Sequence, residues 1–392
     1  MRLPQEWKVV ATATLGSALG PGAILVFGAG VFVVPLQQEF GWTRAQVSVG
    51  LSIVHFAILF LSVAQGYLID RWGTRRLALP SIPAFAAGLA AFGFLPDSLA
   101  VYYALCAIVP ALALGIWQPA YLRAIGGWFD RRLGLAIGFA NAGIGLGGAI
   151  VPLACGFLIA TAGWRAAYWA MAATVLLVSF PMGWLFLRDA PAARRPEKPA
   201  EPAGSFAALL RARDFQWLVA AFLLFGLFNG AIIAHQVPML IDSGWTARRA
   251  ALAQGLFGAS HITGRLLAGW LLDRIHPPRI MIAFLGLGIA GCAIDALDPA
   301  SGIAFLASIT FGLLVGAELD VLAVMVRRRF GMASFGRAYG SVFALVQIGA
   351  IVSVSLLGEI RQATGSYAIG MWALAAVLAL VAAAFTRFRK PA

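Results

Sequence analysis

Long apolar runs, separated by short charged segments, follow one another along almost the whole chain. Six runs precede residue 188 and six follow residue 214, and each is long enough to cross a hydrocarbon core about 30 Å thick as a helix. They occupy residues 9–36, 45–69, 78–95, 99–126, 134–160, 166–187, 215–241, 248–272, 280–297, 301–326, 337–360 and 367–386. The pattern predicts twelve transmembrane helices, because a soluble protein with so many apolar runs would have almost no polar surface.

The sequence repeats itself at an offset of 203 residues. Gly41-Trp42-Thr43 returns as Gly244-Trp245-Thr246, and Asp70-Arg71 returns as Asp273-Arg274. An apolar background produces chance matches of Gly and Leu, but it does not produce Gly-Trp-Thr and Asp-Arg in one register. The repeat therefore indicates two halves built on one template.

Each half contains six spans, and an even number makes the two halves parallel to each other. This arrangement is typical of transporters whose binding site lies between two bundles near the bilayer midplane. The sequence predicts an all-α membrane protein with twelve transmembrane helices in two parallel-repeat six-helix bundles. The predicted domains are an N-terminal six-helix bundle at residues 1–187, a cytoplasmic linker at 188–214 and a C-terminal six-helix bundle at 215–392.

Composition and charge support a membrane protein. Hydrophobic residues make up 61% of the chain and charged residues 11%, against roughly 45–50% and 25% in soluble domains. The net charge of +13 comes from Lys and Arg that concentrate in alternate loops, which is the positive-inside pattern. It predicts a multi-pass protein of the plasma (inner) membrane with both termini cytoplasmic, and it requires no nucleic-acid partner.

Residues 66–76, Gly-Tyr-Leu-Ile-Asp-Arg-Trp-Gly-Thr-Arg-Arg, connect the second and third spans and resemble the loop signature of the major facilitator superfamily. The resemblance implies that the acid braces a neighbouring helix end and that the basic residues help to latch the inward face. The candidate gating residues are Gly66, Asp70, Arg71, Gly73, Arg75, Asp273 and Arg274. After Arg274 the sequence Ile275-His276-Pro277-Pro278 replaces the glycine-bearing turn, so we expect an incomplete latch in the second half. Positive-inside placement alone would explain the arginines, but not Asp70 or Gly73.

Further stretches are similar to the monocarboxylate-transporter branch of that superfamily. They are residues 39–43, 127–138, 143–152 and 163–165. This resemblance covers nearly the whole chain, and it implies a transporter rather than an enzyme.

Arg265, Glu318 and Asp320 are charged residues that lie deep inside predicted spans. Arg265 precedes Asp273 by eight residues, and Glu318 and Asp320 precede Arg327 by nine and seven. At 1.5 Å per residue, the three lie roughly 12, 13 and 10 Å from the cytoplasmic ends of their helices, so they can share one level. Charged side chains at that depth face the bundle interior and are functional by default.

In the monocarboxylate transporters, an arginine in the eighth helix binds the substrate carboxylate and an acid lies one turn before it. Arg265 matches that arginine, whereas His261 replaces the acid. The resemblance therefore implies a substrate-binding role for Arg265, and His261 beside it is a further candidate substrate-binding residue. Either the pair Glu318 and Asp320 or His261 is the candidate proton-coupling group. The alternative is that Arg265 only neutralises an acid in a static cluster, but two acids and one arginine leave one acid over.

Four polar residues within spans complete the candidate substrate site, or else they only bond to neighbouring helices. They are Asn229, Gln347, Gln118 and Tyr121.

Together these features predict a secondary active transporter, a possible symporter, that moves a small monocarboxylate-like organic anion by alternating access, with the proton as candidate coupling ion. The alternative is an exporter of amphipathic drugs or metabolites of the same superfamily. The sequence contains no Gly-Lys-Ser/Thr phosphate-binding loop, and its three cysteines fall within spans without metal-ligand spacing. We therefore expect no cofactor, no metal and no enzyme activity, and we expect a monomeric functional unit in the lipid bilayer.

Overall fold

The computed structural model describes residues 4–190 and 206–389, and in these residues it is helical, with no β-strand. The first half contains α1 (Gln5–Ala18), α2 (Val33–Phe40), α3 (Arg44–Trp72), α4 (Thr74–Phe92), α5 (Leu99–Leu112), α6 (Gln118–Trp128), α7 (Leu133–Thr174) and α8 (Phe180–Phe186). The second half contains α9 (Phe206–Arg211), α10 (Arg213–Asp242), α11 (Ala247–Leu272), α12 (Pro277–Leu297), α13 (Ala304–Phe330), α14 (Phe335–Thr364) and α15 (Ala368–Thr386). Helices occupy all twelve predicted positions, which confirms the all-α prediction.

Two interrupted spans, the first and the fourth, and the short helix α9 between the halves account for the difference between twelve spans and fifteen α-helices. The first span consists of α1, a π-helical turn at Gly22–Phe27, a 3-10 turn at Ala29–Phe32 and α2. The α-helix ends before Gly20-Pro21-Gly22 because proline lacks the N–H that a helix interior needs. The fifth and sixth spans run together in α7, where Gly163 turns the chain with a φ of 85°, a value that glycine adopts readily.

The outer surface of the helices is apolar. Within the described part of the chain, eight helical stretches are long and apolar enough to cross a membrane. Large side chains such as Phe60, Leu153 and Leu177 are 72%, 76% and 71% exposed, whereas a soluble protein rarely exposes extended apolar patches. A surface of this kind fits contact with lipid.

The described residues form two compact units. The first unit comprises residues within 1–130, 139–199 and 332–340, and the second comprises residues within 131–138, 200–331 and 341–392. Each unit therefore includes a short helix beginning from the other half of the chain. The predicted linker at 188–214 stays a prediction, since its residues 191–205 lie outside the described part of the chain.

Candidate functional site

A buried ion pair joins α11 to α13 in the second unit. Arg265 is 3% exposed and Asp320 is fully buried, and the Arg265 Nη1 atom lies 3.5 Å from Asp320 Oδ1. Charge-assisted N–H to carboxylate bonds are usually about 2.7–2.9 Å long, so this pair is loosely made. Within the described residues, Arg265 Nε has no hydrogen-bond partner. The guanidinium therefore retains the capacity to bind a further anion.

Glycines bring the backbones of α11 and α13 into direct contact. A Cβ atom added to Gly316 would overlap the carbonyl oxygen of His261, and one added to Gly264 would overlap that of Leu313. Small residues at a helix interface allow this close approach. The contact holds Arg265 opposite the acidic stretch of α13.

His261 lies one turn before Arg265 on the same face of α11, as its spacing of four residues predicts. Its Nε2 atom is 3.3 Å from Arg265 Nη2. A guanidinium can only donate, so Nε2 accepts and the imidazole is neutral, with its proton on Nδ1. The ring also stacks on Phe257, with centroids 6.3 Å apart and planes at 9°. In this arrangement His261 carries no charge.

Glu318 faces a different helix from Asp320. Its Oε1 atom accepts a hydrogen bond of 3.2 Å from Asn229 Nδ2 on α10. Side chains two residues apart on an α-helix point in directions that differ by about 200°. This explains why Glu318 contacts α10 and Asp320 contacts α11. In the described residues, Glu318 Oε2 and Asn229 Oδ1 have no hydrogen-bond partner. Arg265, His261, Asn229, Glu318 and Asp320 together are called the buried charge cluster below.

The other three predicted substrate-binding residues lie on α14 and α6. Gln347 is partly exposed on α14 in the second unit. Gln118 and Tyr121 lie on α6 in the first unit, where Gln118 donates a 2.5 Å hydrogen bond to Asn141 Oδ1. Tyr121 is buried against Gly16 of α1, where a side chain larger than hydrogen would overlap its ring. Its packing role is therefore evident from the structure.

Asp70 caps the first turn of α14. Its two carboxylate oxygens each accept a 3.0 Å hydrogen bond, one from the backbone N–H of Gly336 and one from that of Arg337. The side chains of Arg123 and Arg337 pair with the same carboxylate at 3.3 and 3.4 Å. A carboxylate at a helix N-terminus satisfies unpaired N–H groups and interacts favourably with the helix dipole.

Asp273 makes the equivalent contact in the second unit. It accepts hydrogen bonds of 2.7 and 3.1 Å from the backbone N–H groups of Gly134 and Leu135 at the start of α7. Arg274 instead donates to the carbonyl of Trp270 and stacks over its ring at 4.0 Å. The helix cap made by the acid is therefore present in the second copy of the motif, although the turn after Arg274 differs from that of the first copy.

The remaining residues of the loop signature join α4 to the segment after α8. Gly73 has a φ of 83°, and the next two backbone N–H groups, of Thr74 and Arg75, donate to the Asp189 carboxylate at 3.0 and 3.2 Å. The Arg75 side chain donates to backbone carbonyls at the end of the sixth span, and Arg71 is exposed. Sequence reasoning missed Asp189, because a single acid after a span carries no pattern.

Two of the motifs that resemble monocarboxylate transporters meet outside the spans. The Glu39 carboxylate accepts hydrogen bonds from Trp164 Nε1, at 2.5 Å, and from the Arg165 guanidinium. The Arg165 side chain holds the pKa of Glu39 below its usual value. These motifs therefore stabilise the connection between helices.

Asp295 is a buried acid that sequence reasoning also missed. It is 2% exposed near the end of α12, and neither of its carboxylate oxygens has a hydrogen-bond partner within the described residues. It lies only two residues before the end of the ninth predicted span, so its burial was not evident from the sequence. The signal that could have indicated it was an acid inside an apolar run.

Comparisons with known proteins agree with one another. The family model described as the Major Facilitator Superfamily matches residues 15–354. Human monocarboxylate transporter 11 is 26% identical over 375 residues, which are 92% of this chain and 78% of the relative. The fujikurins efflux protein of Gibberella fujikuroi is 25% identical over 392 residues, which are 96% of this chain and 81% of the relative.

Solved structures share the fold. The E. coli fucose:proton symporter has a TM-score of 0.76 at 16% identity, covering 98% of this chain and 100% of that chain. The human organic anion transporter has a TM-score of 0.75 at 15% identity, with the same coverage. These likenesses confirm the predicted twelve-helix fold, and the curated relatives confirm the resemblance to monocarboxylate transporters.

Proposed function

The chain belongs to the major facilitator superfamily and is a multi-pass membrane transporter, not an enzyme, and on that premise we propose that it carries a small, monocarboxylate-like organic anion by alternating access. A proton is the proposed coupling ion. The proposed form is a monomer in the plasma membrane with both termini cytoplasmic. Asp70, Asp273 and the arginines near them are the proposed gating residues.

The observation that carries this proposal is the incompletely used guanidinium of Arg265. It is buried, its contact with Asp320 is long, and its Nε atom has no partner among the described residues. A guanidinium holds a carboxylate through parallel N–H donors. A buried arginine in a transmembrane helix is also costly to maintain, which favours a functional role.

A second candidate function is the export of amphipathic metabolites, which the similarity to the fujikurins efflux protein favours. The same guanidinium argues against a cationic drug as cargo, because like charges repel in a low-dielectric site. Export and import of an anion are both compatible with the proposed site.

Uptake into proteoliposomes tests the proposal. We expect accumulation of at least one short labelled monocarboxylate, and we expect an inwardly directed proton gradient to increase it. Amphipathic cations serve as the negative control, and we expect no uptake of them. Transport of the cations without any carboxylate would favour the exporter instead.

Thiol labelling in intact cells tests the proposed topology. The three native cysteines are buried, so a single cysteine placed within residues 243–247 should give a clear signal with an impermeant reagent. A cysteine at 195–200 should stay unlabelled unless the orientation is the reverse.

The proposed gating role of Asp70 predicts a selective defect. In Asp70→Asn the carboxylate charge that caps α14 and pairs with Arg123 and Arg337 is lost, which weakens contacts of about 1.5–3 kcal/mol each at most. Transport should therefore slow, while substrate affinity in detergent changes little, because Asp70 is not part of the buried charge cluster. Asp298→Asn, at an exposed acid after α12, is the control. Lost affinity in folded Asp70→Asn would instead assign Asp70 to the substrate site.

A further inference from the structure

The buried charge cluster contains more acid than base. Arg265, Glu318 and Asp320 are at most 3% exposed, and His261 is neutral because it accepts from Arg265. One guanidinium can balance one carboxylate, so a second ionised carboxylate would be buried without a counter-charge. A buried charge of that kind is strongly unfavourable. One of the two acids must therefore hold a proton.

The contacts distinguish the two acids. The Asp320 carboxylate is paired with the guanidinium of Arg265 at 3.5 Å, and the positive charge favours its ionised form. Glu318 is hydrogen-bonded instead to a neutral amide, that of Asn229, and it makes no ion pair within the described residues. The amide N–H can also donate to the carbonyl oxygen of a protonated carboxyl group. The proton therefore belongs on Glu318.

We infer that Glu318 is a permanently protonated acid, positioned by Asn229, whose Oε2–H group donates a hydrogen bond to the transported anion, whereas Asp320 is the acid that exchanges the coupling proton. The role toward the anion rests on the proposed function; the protonation of Glu318 does not. In the described residues, Asn229 of α10 donates to Glu318, and the charges of Arg265 on α11 and of Asp320 on the same helix act on it. His261 of α11 contacts Arg265.

Glu318 thereby supplies a donor where an ionised acid would repel the substrate. Its Oε2 atom and the Arg265 Nε atom are both buried and have no partner in the described residues. A carboxylate that accepts from both would satisfy two otherwise unmatched donors, and buried polar groups strongly favour being matched. A neutral acid held in an apolar site acts as a donor in this way.

Asp320 responds to the same event in the opposite sense. When the anion binds the guanidinium, Asp320 loses its counter-charge and takes one proton from the aqueous phase. When the anion leaves, Asp320 returns to Arg265 and releases that proton. One proton thus moves with one monoanion, and the cluster stays electrically neutral in both states.

Matched amide variants separate the two roles. In Glu318→Gln an amide N–H replaces the O–H donor, so uptake should fall several-fold while the proton gradient still drives accumulation. Glu318→Leu removes the donor, and we expect the apparent substrate affinity to fall about 10-fold or more. In Asp320→Asn gradient-driven accumulation should be lost while counterflow of the anion persists. Loss of gradient-driven accumulation in Glu318→Gln, or unchanged affinity in Glu318→Leu, would overturn the assignment.

Infrared spectroscopy tests the protonation of Glu318 without any transport. The C=O stretching band of a protonated carboxyl group should persist in the wild-type protein at neutral and mildly alkaline pH. Buried Asp295, whose carboxylate oxygens have no hydrogen-bond partner in the described residues, contributes a band of its own, so the component to follow is the one lost in Glu318→Gln. That component should remain when Arg265→Ala is combined with Asp320→Asn, because Glu318 then has no counter-charge, and it should shift in frequency in Asn229→Ala, which removes its hydrogen-bond donor. A band without any carboxylate transport would contradict the proposed function but not the proton on Glu318. Identical spectra of the wild type, Glu318→Gln and Asn229→Ala would show that Glu318 is not protonated.

Discussion

Arg265→Ala should abolish uptake of the organic anion, and Arg265→Lys should reduce it by at least about 30-fold. Truncating one partner of a buried charge pair costs about 2 kcal/mol or more, which corresponds to that factor. Lysine keeps the charge, but it replaces a planar group of parallel donors with a point charge. Initial uptake rates in proteoliposomes, at equal amounts of folded protein, measure both effects.

The same variant leaves Asp320 buried without a counter-charge, so folding needs its own control. Arg265→Ala combined with Asp320→Asn removes both charges and should recover the thermal stability that the single variant loses. Recovery of stability without recovery of anion counterflow, which Asp320→Asn alone should retain, would assign Arg265 to the substrate. Arg361→Lys, which changes a partly exposed arginine paired with Asp242 at 3.1 Å, should leave uptake close to wild type. Carboxylate uptake at the wild-type rate by Arg265→Ala would end the anion hypothesis at this residue and favour the exporter.

Gly316→Leu should destabilise the protein strongly and abolish uptake. An added side chain at Gly316 meets the backbone of His261 and Arg265 on α11, and backbone cannot rotate away as a flexible side chain can. Overpacking of a well-packed interior costs about 1–3 kcal/mol for small insertions and more for large ones. The helices must separate, so Arg265 moves away from Asp320.

A glycine without such a neighbour provides the control. Gly286 on α12 has open space around its Cβ position, so Gly286→Leu should leave the melting temperature and uptake almost unchanged. The milder Gly316→Ala should lower the melting temperature by a smaller amount than Gly316→Leu. Equal thermal stability of the two leucine variants would contradict a tight contact between α11 and α13.

Much of the architecture could be predicted without tertiary structure, because the bilayer imposes a simple rule on sequence. A segment that crosses hydrocarbon must be long, apolar and internally hydrogen-bonded, so each helix leaves its own signal. The repeat of Gly41-Trp42-Thr43 and Asp70-Arg71 then revealed two related halves. Arg265 stood out for the same reason, since a charge within such a segment is rare.

Local geometry along one helix was equally predictable. The spacing of four residues between His261 and Arg265 places them on one face of α11, and the structure shows them 3.3 Å apart. The spacing of two between Glu318 and Asp320 sends them in nearly opposite directions. Neither inference needed a neighbouring helix.

Contacts between helices were decided only by the tertiary structure. The rotation of α13 about its own axis determines that Asp320 meets Arg265 and that Glu318 meets Asn229. That rotation depends on the close approach of α11 at Gly316. The presence of a glycine in the sequence does not indicate which helix it will contact. Gln347, which is chemically similar to Asn229, lies on α14 of the same unit and makes no hydrogen bond to the cluster within the described residues.

The sequence by itself determined the spanning helices, the repeat and the presence of a charge that must be compensated, because these depend on properties of single segments in lipid. Only the tertiary structure decided which acid compensates Arg265, that Asp273 caps α7 as Asp70 caps α14, and that Asp295 is buried. These outcomes depend on distances between residues far apart in the chain. Such distances follow from the packing of all the helices of a unit together, not from the pattern along any one of them.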